Sequence, residues 1–107
     1  MINKIKQGDE YSLPIALTLN GMALYASGVE RAEFTIGPIR KLYPDEVRFD
    51  VGSESFLVPL TQRDTMRLTP DSSVPMDIRV RLTGGGVVGL SDMLYIDVKG
   101  ALSREVI

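Results

Sequence analysis

The sequence contains no cysteine, no histidine and no tryptophan. Without cysteine there are no disulfides, no thiol nucleophile and no thiolate ligand for a metal or haem. Without histidine there is no imidazole base, and no side chain titrates near neutral pH unless its surroundings shift it strongly. Serine hydrolase chemistry of the Ser-His-Asp kind is excluded on the same ground. A long apolar run is also missing: nothing approaches the ~20 consecutive apolar residues of a membrane span. The opening Met1-Ile2-Asn3-Lys4 is not followed by an apolar h-region, so no secretory signal peptide is expected. Excess charge of one sign is absent as well. The chain has 12 Lys and Arg against 14 Asp and Glu, a net charge of -2. A nucleic-acid stripe normally tips the balance the other way. The basic pairs Lys4 and Lys6, Arg40 and Lys41, and Arg79 and Arg81 each have acids nearby, namely Asp9, Asp45 and Asp77, and read as mixed solvated faces.

What is present is 107 residues, of which 44% are hydrophobic and 24% charged. That composition is globular, and the length suits one domain spanning residues 1–107. Folding should bury about two thirds of the unfolded surface, enough for a single core.

The dominant period is two. Leu13, Ile15, Leu17 and Leu19 alternate with smaller or polar residues. So do Ala32, Phe34 and Ile36; Met76, Ile78, Val80 and Leu82; and Leu94, Ile96 and Val98. Val47 with Phe49, and Phe56 with Val58 and Leu60, repeat the pattern over shorter spans. Alternation sends one set of side chains to a core and the other to water. Breakers fall between the runs. Asn20-Gly21 supplies the two positive-φ residues of a type I′ hairpin turn. Gly37-Pro38 ends the strand carrying Phe34, Tyr43-Pro44-Asp45 is a turn, residues 51–54 join two short strands, and Gly84-Gly85-Gly86 reverses the strongest one. Strands thus recur about every 8 to 12 residues, the spacing of an all-β sandwich or barrel. One segment reads as helix: Thr61-Gln62-Arg63-Asp64 has the pattern of a capping box, and Pro70 limits it to about two turns.

Several residues invite a chemical reading. Gly84 to Gly89 matches G-x-G-x-x-G, but strand rather than helix follows it, and only 18 residues remain. No dinucleotide-binding βαβ unit fits, and a hairpin explains the glycines. Asp9-Glu10 and Asp45-Glu46 are adjacent acids. Neighbours point to opposite faces in a strand and are solvated in a loop, whereas a glycosidase dyad needs a cleft. Asp92 and Asp97, five apart, face opposite ways. A Ser103–Lys99 pair has nothing further to support it. Tyr11, Tyr25, Tyr43 and Tyr95 are the tyrosines; Tyr95 sits on the polar side of its strand and suits a sandwich edge or a protein interface. Pro14 interrupts a good strand and marks an edge, a strand start or a bulge.

Four segments carry a resemblance: Phe34 to Pro44, Val58 to Thr65, Asp77 to Leu82, and Ala101 to Ile107. In that order they resemble small phage or prophage proteins encoded among the tail and virion genes of Firmicutes viruses. The opening Ile5-Lys6-Gln7-Gly8-Asp9, followed by an alternating strand, is similar to the N-terminal domain of siphophage baseplate upper proteins. The resemblance implies an immunoglobulin-like β-sandwich that serves in virion assembly. The segment Leu60 to Thr65 is also similar to the helical turn before the sixth strand of immunoglobulin-type domains. The Cys pair and Trp of antibody domains are lacking.

The expectation is therefore an all-β, immunoglobulin-like antiparallel sandwich of about seven strands with one short helix at residues 61–67. Its core comprises Leu13, Ile15, Leu17, Phe34, Ile36, Phe49, Phe56, Val58, Met76, Ile78, Val80, Leu94 and Ile96. No catalytic residue, metal ligand or cofactor is expected. Function should lie in contacts with other virion proteins or with copies of itself, not with nucleic acid or membrane, in a virion component made in the bacterial cytoplasm. The alternative is a carbohydrate- or ligand-binding sandwich for host surface recognition. The segment 101–107 either packs on its own sandwich or reaches a neighbour; the sequence leaves both open.

Overall fold

The structure, a computed structural model, describes residues 2–90 and 94–103. Among the described residues the strands run in the order β1 (Ile2–Lys6), β2 (Tyr11–Ile15), β3 (Leu17–Leu19), β4 (Met22–Leu24), β5 (Val29–Ile36), β6 (Ile39–Tyr43), β7 (Arg48–Asp50), β8 (Ser55–Leu60), β9 (Ser72–Leu82), β10 (Val87–Gly89) and β11 (Leu94–Lys99). The helix α1 (Gln62–Met66) lies between β8 and β9. The larger sheet has the order β1-β11-β9-β5-β6, with β10 also on β9; the smaller is β2-β8-β7, and β3-β4 is a separate hairpin.

The two sheets pack face to face because alternation gives each an apolar side. Phe34, Ile36, Met76, Ile78, Val80, Ile96 and Val98 of the large sheet meet Leu13, Ile15, Phe56, Val58 and Leu60 of the small one in one cluster. Phe56 is its aromatic hub, with ring centres 4.9 Å from Phe49, 5.0 Å from Tyr43 and 6.2 Å from Phe34 across the sheets. The orders β11-β9-β5-β6 and β2-β8-β7 correspond to the G-F-C-C′ and B-E-D orders of an immunoglobulin-like sandwich. That is the architecture of this chain.

The expected turns form. Asn20 and Gly21, with φ of 52° and 81°, close the β3–β4 hairpin, where Leu19 faces Met22. The glycine run closes β9 onto β10, with Gly85 and Gly86 at positive φ. Pro14 lies on β2, an edge of the small sheet. Pro14 pairs with Leu57 and Pro59 with Ser12. These two pairs lie two steps apart and so share one class of ladder position. Neither proline can donate, so that class is the non-hydrogen-bonded one.

The capping box is complete. The Asp64 amide donates to Thr61 Oγ1 at 3.1 Å, and the Thr61 amide donates to Asp64 Oδ2 at 2.9 Å. The helix presents the fully buried Thr65, whose hydroxyl donates to the Asp9 carbonyl at 2.9 Å and accepts from the Gly8 amide at 2.9 Å.

Details differ from the expectation. The run from Leu13 to Leu19 is split at Ala16, because β2 stays on β8 while the Asn20-Gly21 turn folds β3 onto β4. Gly37-Pro38 does more than end a strand: Ile36 faces Ile39, so it is a two-residue hairpin turn into β6. β6 escapes a period-two reading because Lys41 occupies an inward position, its amine 3.0 Å from Asp64. The short β1 joins β11 in parallel, so the large sheet is not wholly antiparallel. Of the expected core, Phe49 is partly buried rather than buried, and the side chain of Leu94 lies outside the described residues. Ile5, Val29, Ala32, Ile39, Val47, Leu60, Leu68, Val74 and Val98 join the core.

Candidate functional site

Of the acids singled out from the sequence, Asp9, Asp45, Glu46 and Asp97 are tied into turns and surface pairs. Asp9 accepts from the Lys6 amide at 3.1 Å, and Glu10 is exposed beside it. Asp45 meets Arg31 at 2.8 Å, while its neighbour Glu46 accepts from the Leu42 amide at 3.2 Å. Asp97 accepts from the Ser73 hydroxyl, and Asp92 lies outside the described residues. Asp50 accepts from both the hydroxyl and the amide of Ser53, which hold its carboxyl below the ordinary range. Lys99 ends β11 and is exposed, and Ser103 lies in the segment that follows it. Among the described residues no group of three or more acids is placed to hold a metal ion. No helix among them is long and apolar enough to cross a membrane.

The tyrosines separate. Tyr43 packs edge-on against Phe56 in the core. Tyr11 and Tyr95 are exposed on β2 and β11. Tyr25 lines a recess of about 340 Å³ with Ala26, Ser27, Phe49, Val51 and Glu54; its ring stands edge-on to Phe49, and its hydroxyl donates to Glu54 at 3.3 Å.

The outer face of the large sheet gathers the most chemistry. Four strands contribute in register. Arg31 on β5 lies directly opposite Arg81 on β9, Glu33 opposite Arg79, and Thr35 opposite Asp77. On the far side of β5, Arg40 of β6 lies opposite Thr35 and Leu42 opposite Glu33. On the far side of β9, Val87 lies opposite Arg81, and Gly89 opposite Arg79. Gly89 adds no side chain there. A recess of about 170 Å³ results, lined by Arg31, Arg40, Arg79, Arg81, Leu42 and Val87 among others.

The local cause is a β-bulge. The register on β9 shifts between Val29 and Arg31, so two residues of β5 advance only one position on the partner. Val29 is buried, yet Arg31, two residues on, turns outward. Unbroken alternation would put both on one face. The bulge re-aims Arg31 toward Arg81.

The four guanidiniums are unequally matched. Arg31 pairs with Asp45, and Arg40 with Glu33. Arg79 and Arg81 have no carboxylate at ion-pair distance among the described residues. Like charges directly opposite one another across a ladder cost stability; Asp45 offsets Arg31, and Arg81 has no such partner among the described residues. Val87 is 55% exposed beside it, and Tyr95 lies on the same outer face, opposite Pro75. The sequence placed Arg79 and Arg81 on a mixed face with Asp77 and did not anticipate Arg31 and Arg40 beside them. The signal was available: Val29 and the Ala32-Phe34-Ile36 run are both apolar but of opposite parity, which requires a bulge between them.

No family model and no curated protein matches this sequence. Among solved structures, the solution structure of the first Ig-like domain of human CD48 antigen is similar over 99% of this chain and 87% of that one, with 16% identity and a TM-score of 0.39. The architecture assigned above rests on strand order and register.

Proposed function

We propose that this chain is a non-enzymatic structural module of a phage or prophage virion, a tail or baseplate component that works through protein–protein contacts. The observation that carries the reading is the outer face of the large sheet. It offers Arg79 and Arg81 without carboxylate partners among the described residues beside the exposed Val87, with the exposed Tyr95 further along the same face, and guanidinium and aromatic groups are enriched at protein interfaces. The interior supports it as well, since the apolar residues of both sheets fill the space between them. The resemblance of the segments from Phe34 to Pro44 and from Asp77 to Leu82 to virion-gene products supplies the setting: synthesis in the bacterial cytoplasm and incorporation into a particle, alongside other virion proteins or further copies of itself.

The test is particle composition together with association. Mass spectrometry of purified particles should find the chain, and native mass measurement with the neighbouring virion proteins should find a complex. A strict monomer that binds none of them and is absent from particles overturns the reading.

A second reading, a carbohydrate-binding sandwich for host surfaces, draws on the Tyr25–Phe49–Val51 recess, where an aromatic edge and the Glu54 carboxylate meet. A glycan array without hits disposes of it.

A further inference from the structure

We propose that the arginine recess on the outer face of the large sheet is a docking site for a carboxylate-bearing, acidic segment of a partner protein. This deepens the assembly reading above by naming the surface and the partner chemistry, and it rests on that reading.

Four observations carry it. First, Arg79 and Arg81 have no carboxylate at ion-pair distance among the described residues while projecting from β9, so their guanidiniums are available to take a carboxylate in bidentate fashion. Second, Arg31 is set against Arg81 by a β-bulge. Asp45 offsets Arg31 but no carboxylate offsets Arg81 among the described residues, so an arriving carboxylate supplies the counter-charge that Arg81 lacks. Third, the recess of about 170 Å³, set among Arg31, Arg40, Arg79 and Arg81, has room for a side-chain carboxylate. Fourth, the lining is apolar at Val87 and Leu42 and acidic at Glu33, and Asp45 stands at Arg31. These acids and a net charge of -2 disfavour an extended polyphosphate such as nucleic acid, which needs many cationic contacts in a row. A single protein carboxylate flanked by apolar neighbours fits both the charge and the lining.

The experiment is an amide and arginine side-chain NMR titration of the full chain at low ionic strength. The probe is an end-blocked hexapeptide with one glutamate flanked by alanine and valine, run in parallel with inorganic phosphate and with a hexanucleotide of single-stranded DNA. The expected result is saturable shifts confined to residues around Arg31, Arg40, Arg79, Arg81 and Val87 with the peptide. The Arg79→Gln/Arg81→Gln double variant should keep its fold, be at least as stable as the parent, and bind the peptide at least about tenfold more weakly. The single variant Arg63→Gln, on the helix, should bind as the parent does.

Shifts scattered over Lys4, Lys6 and Arg63, or equal binding by the double variant, overturn the site. Saturation by phosphate or DNA at the recess while the peptide fails overturns the acidic-protein assignment. The failure of the assembly reading is separate. A chain absent from particles would leave peptide binding at the recess intact, whereas a double variant that still assembles normally would remove the recess and leave the module.

Discussion

Asp64 carries several duties at a single position. Burial pushes its carboxyl up, but the Thr61 amide, Lys41 and the Thr61 hydroxyl outweigh that and hold it below the ordinary value of 3.8. A carboxylate with a depressed folded-state pKa contributes stability that is fully present above the unfolded value. That contribution is lost as pH falls through the folded value. Asp64→Ala removes the reciprocal cap and leaves Lys41, 13% exposed at its side chain, without its nearest partner. The expected loss at pH 7 is about 1–2 kcal/mol, smaller at a pH acidic enough to protonate the carboxyl, and urea unfolding at the two pH values measures it. An equal loss at both would show that the charge is irrelevant. Phe56, at the meeting point of four rings, is the other decisive residue. Phe56→Ala should cost about 3–5 kcal/mol, read by denaturant titration, because no neighbouring element can close the gap without breaking register. A loss below about 1 kcal/mol would mean that the rings repack freely.

At the scale of elements, turns decide what period alone cannot. Gly37 has a φ of 54°, and a Cβ built there would lie 3.3 Å from Val74 Cγ1. Gly37→Ala therefore meets both backbone strain and a crowded neighbour, and should destabilise by about 1–2 kcal/mol in equilibrium unfolding. An unchanged midpoint would mean that the β5–β6 turn relaxes to another geometry. The strands that sequence reading finds are those with clean alternation, such as β9, where Val74, Met76, Ile78 and Val80 all point inward. Ile78→Asp, buried opposite Phe34, should abolish cooperative unfolding, as followed by circular dichroism; a soluble two-state variant would contradict its core placement. The strands that it misses have a physical reason for hiding. β6 has an inward lysine that finds Asp64, and β1 contributes Ile5 as its one described core residue and is fixed by a parallel partner about ninety residues away. The arginine recess was hidden for another reason. Arg31, Arg40, Arg79 and Arg81 come from three strands, and their juxtaposition depends on ladder register and on a bulge, neither of which a local pattern encodes.

On the scale of the whole molecule, the chain is elongated, with extents of 46 × 23 × 23 Å, and its first and last strands lie side by side. That arrangement needs a clasp, because a parallel pair has no turn to hold it. Gln7 supplies it. Its side chain is buried just past β1; its amide donates to the Leu68 carbonyl at 2.9 Å, and its Oε1 accepts from the Ala101 amide at 3.3 Å. One residue thus binds the beginning of the fold, the segment after the helix and the segment after β11. The start of the C-terminal segment accordingly packs on its own sandwich. Leu102, the next residue, is fully exposed, and residues 104–107 lie outside the described residues. Gln7→Ala should strand a buried carbonyl and loosen Ala101, costing about 1–3 kcal/mol. It should also raise amide exchange at Ala101 and along β1 more than in β5 or β9. Uniform exchange across all four would mean that Gln7 supports the fold generally and not the junction of its two ends. The clasp and the arginine recess involve separate residues, so a Gln7 variant that remains folded is expected to bind an acidic peptide as the parent does. That independence would place the adhesive surface on the sheet face and leave the joined ends a structural role.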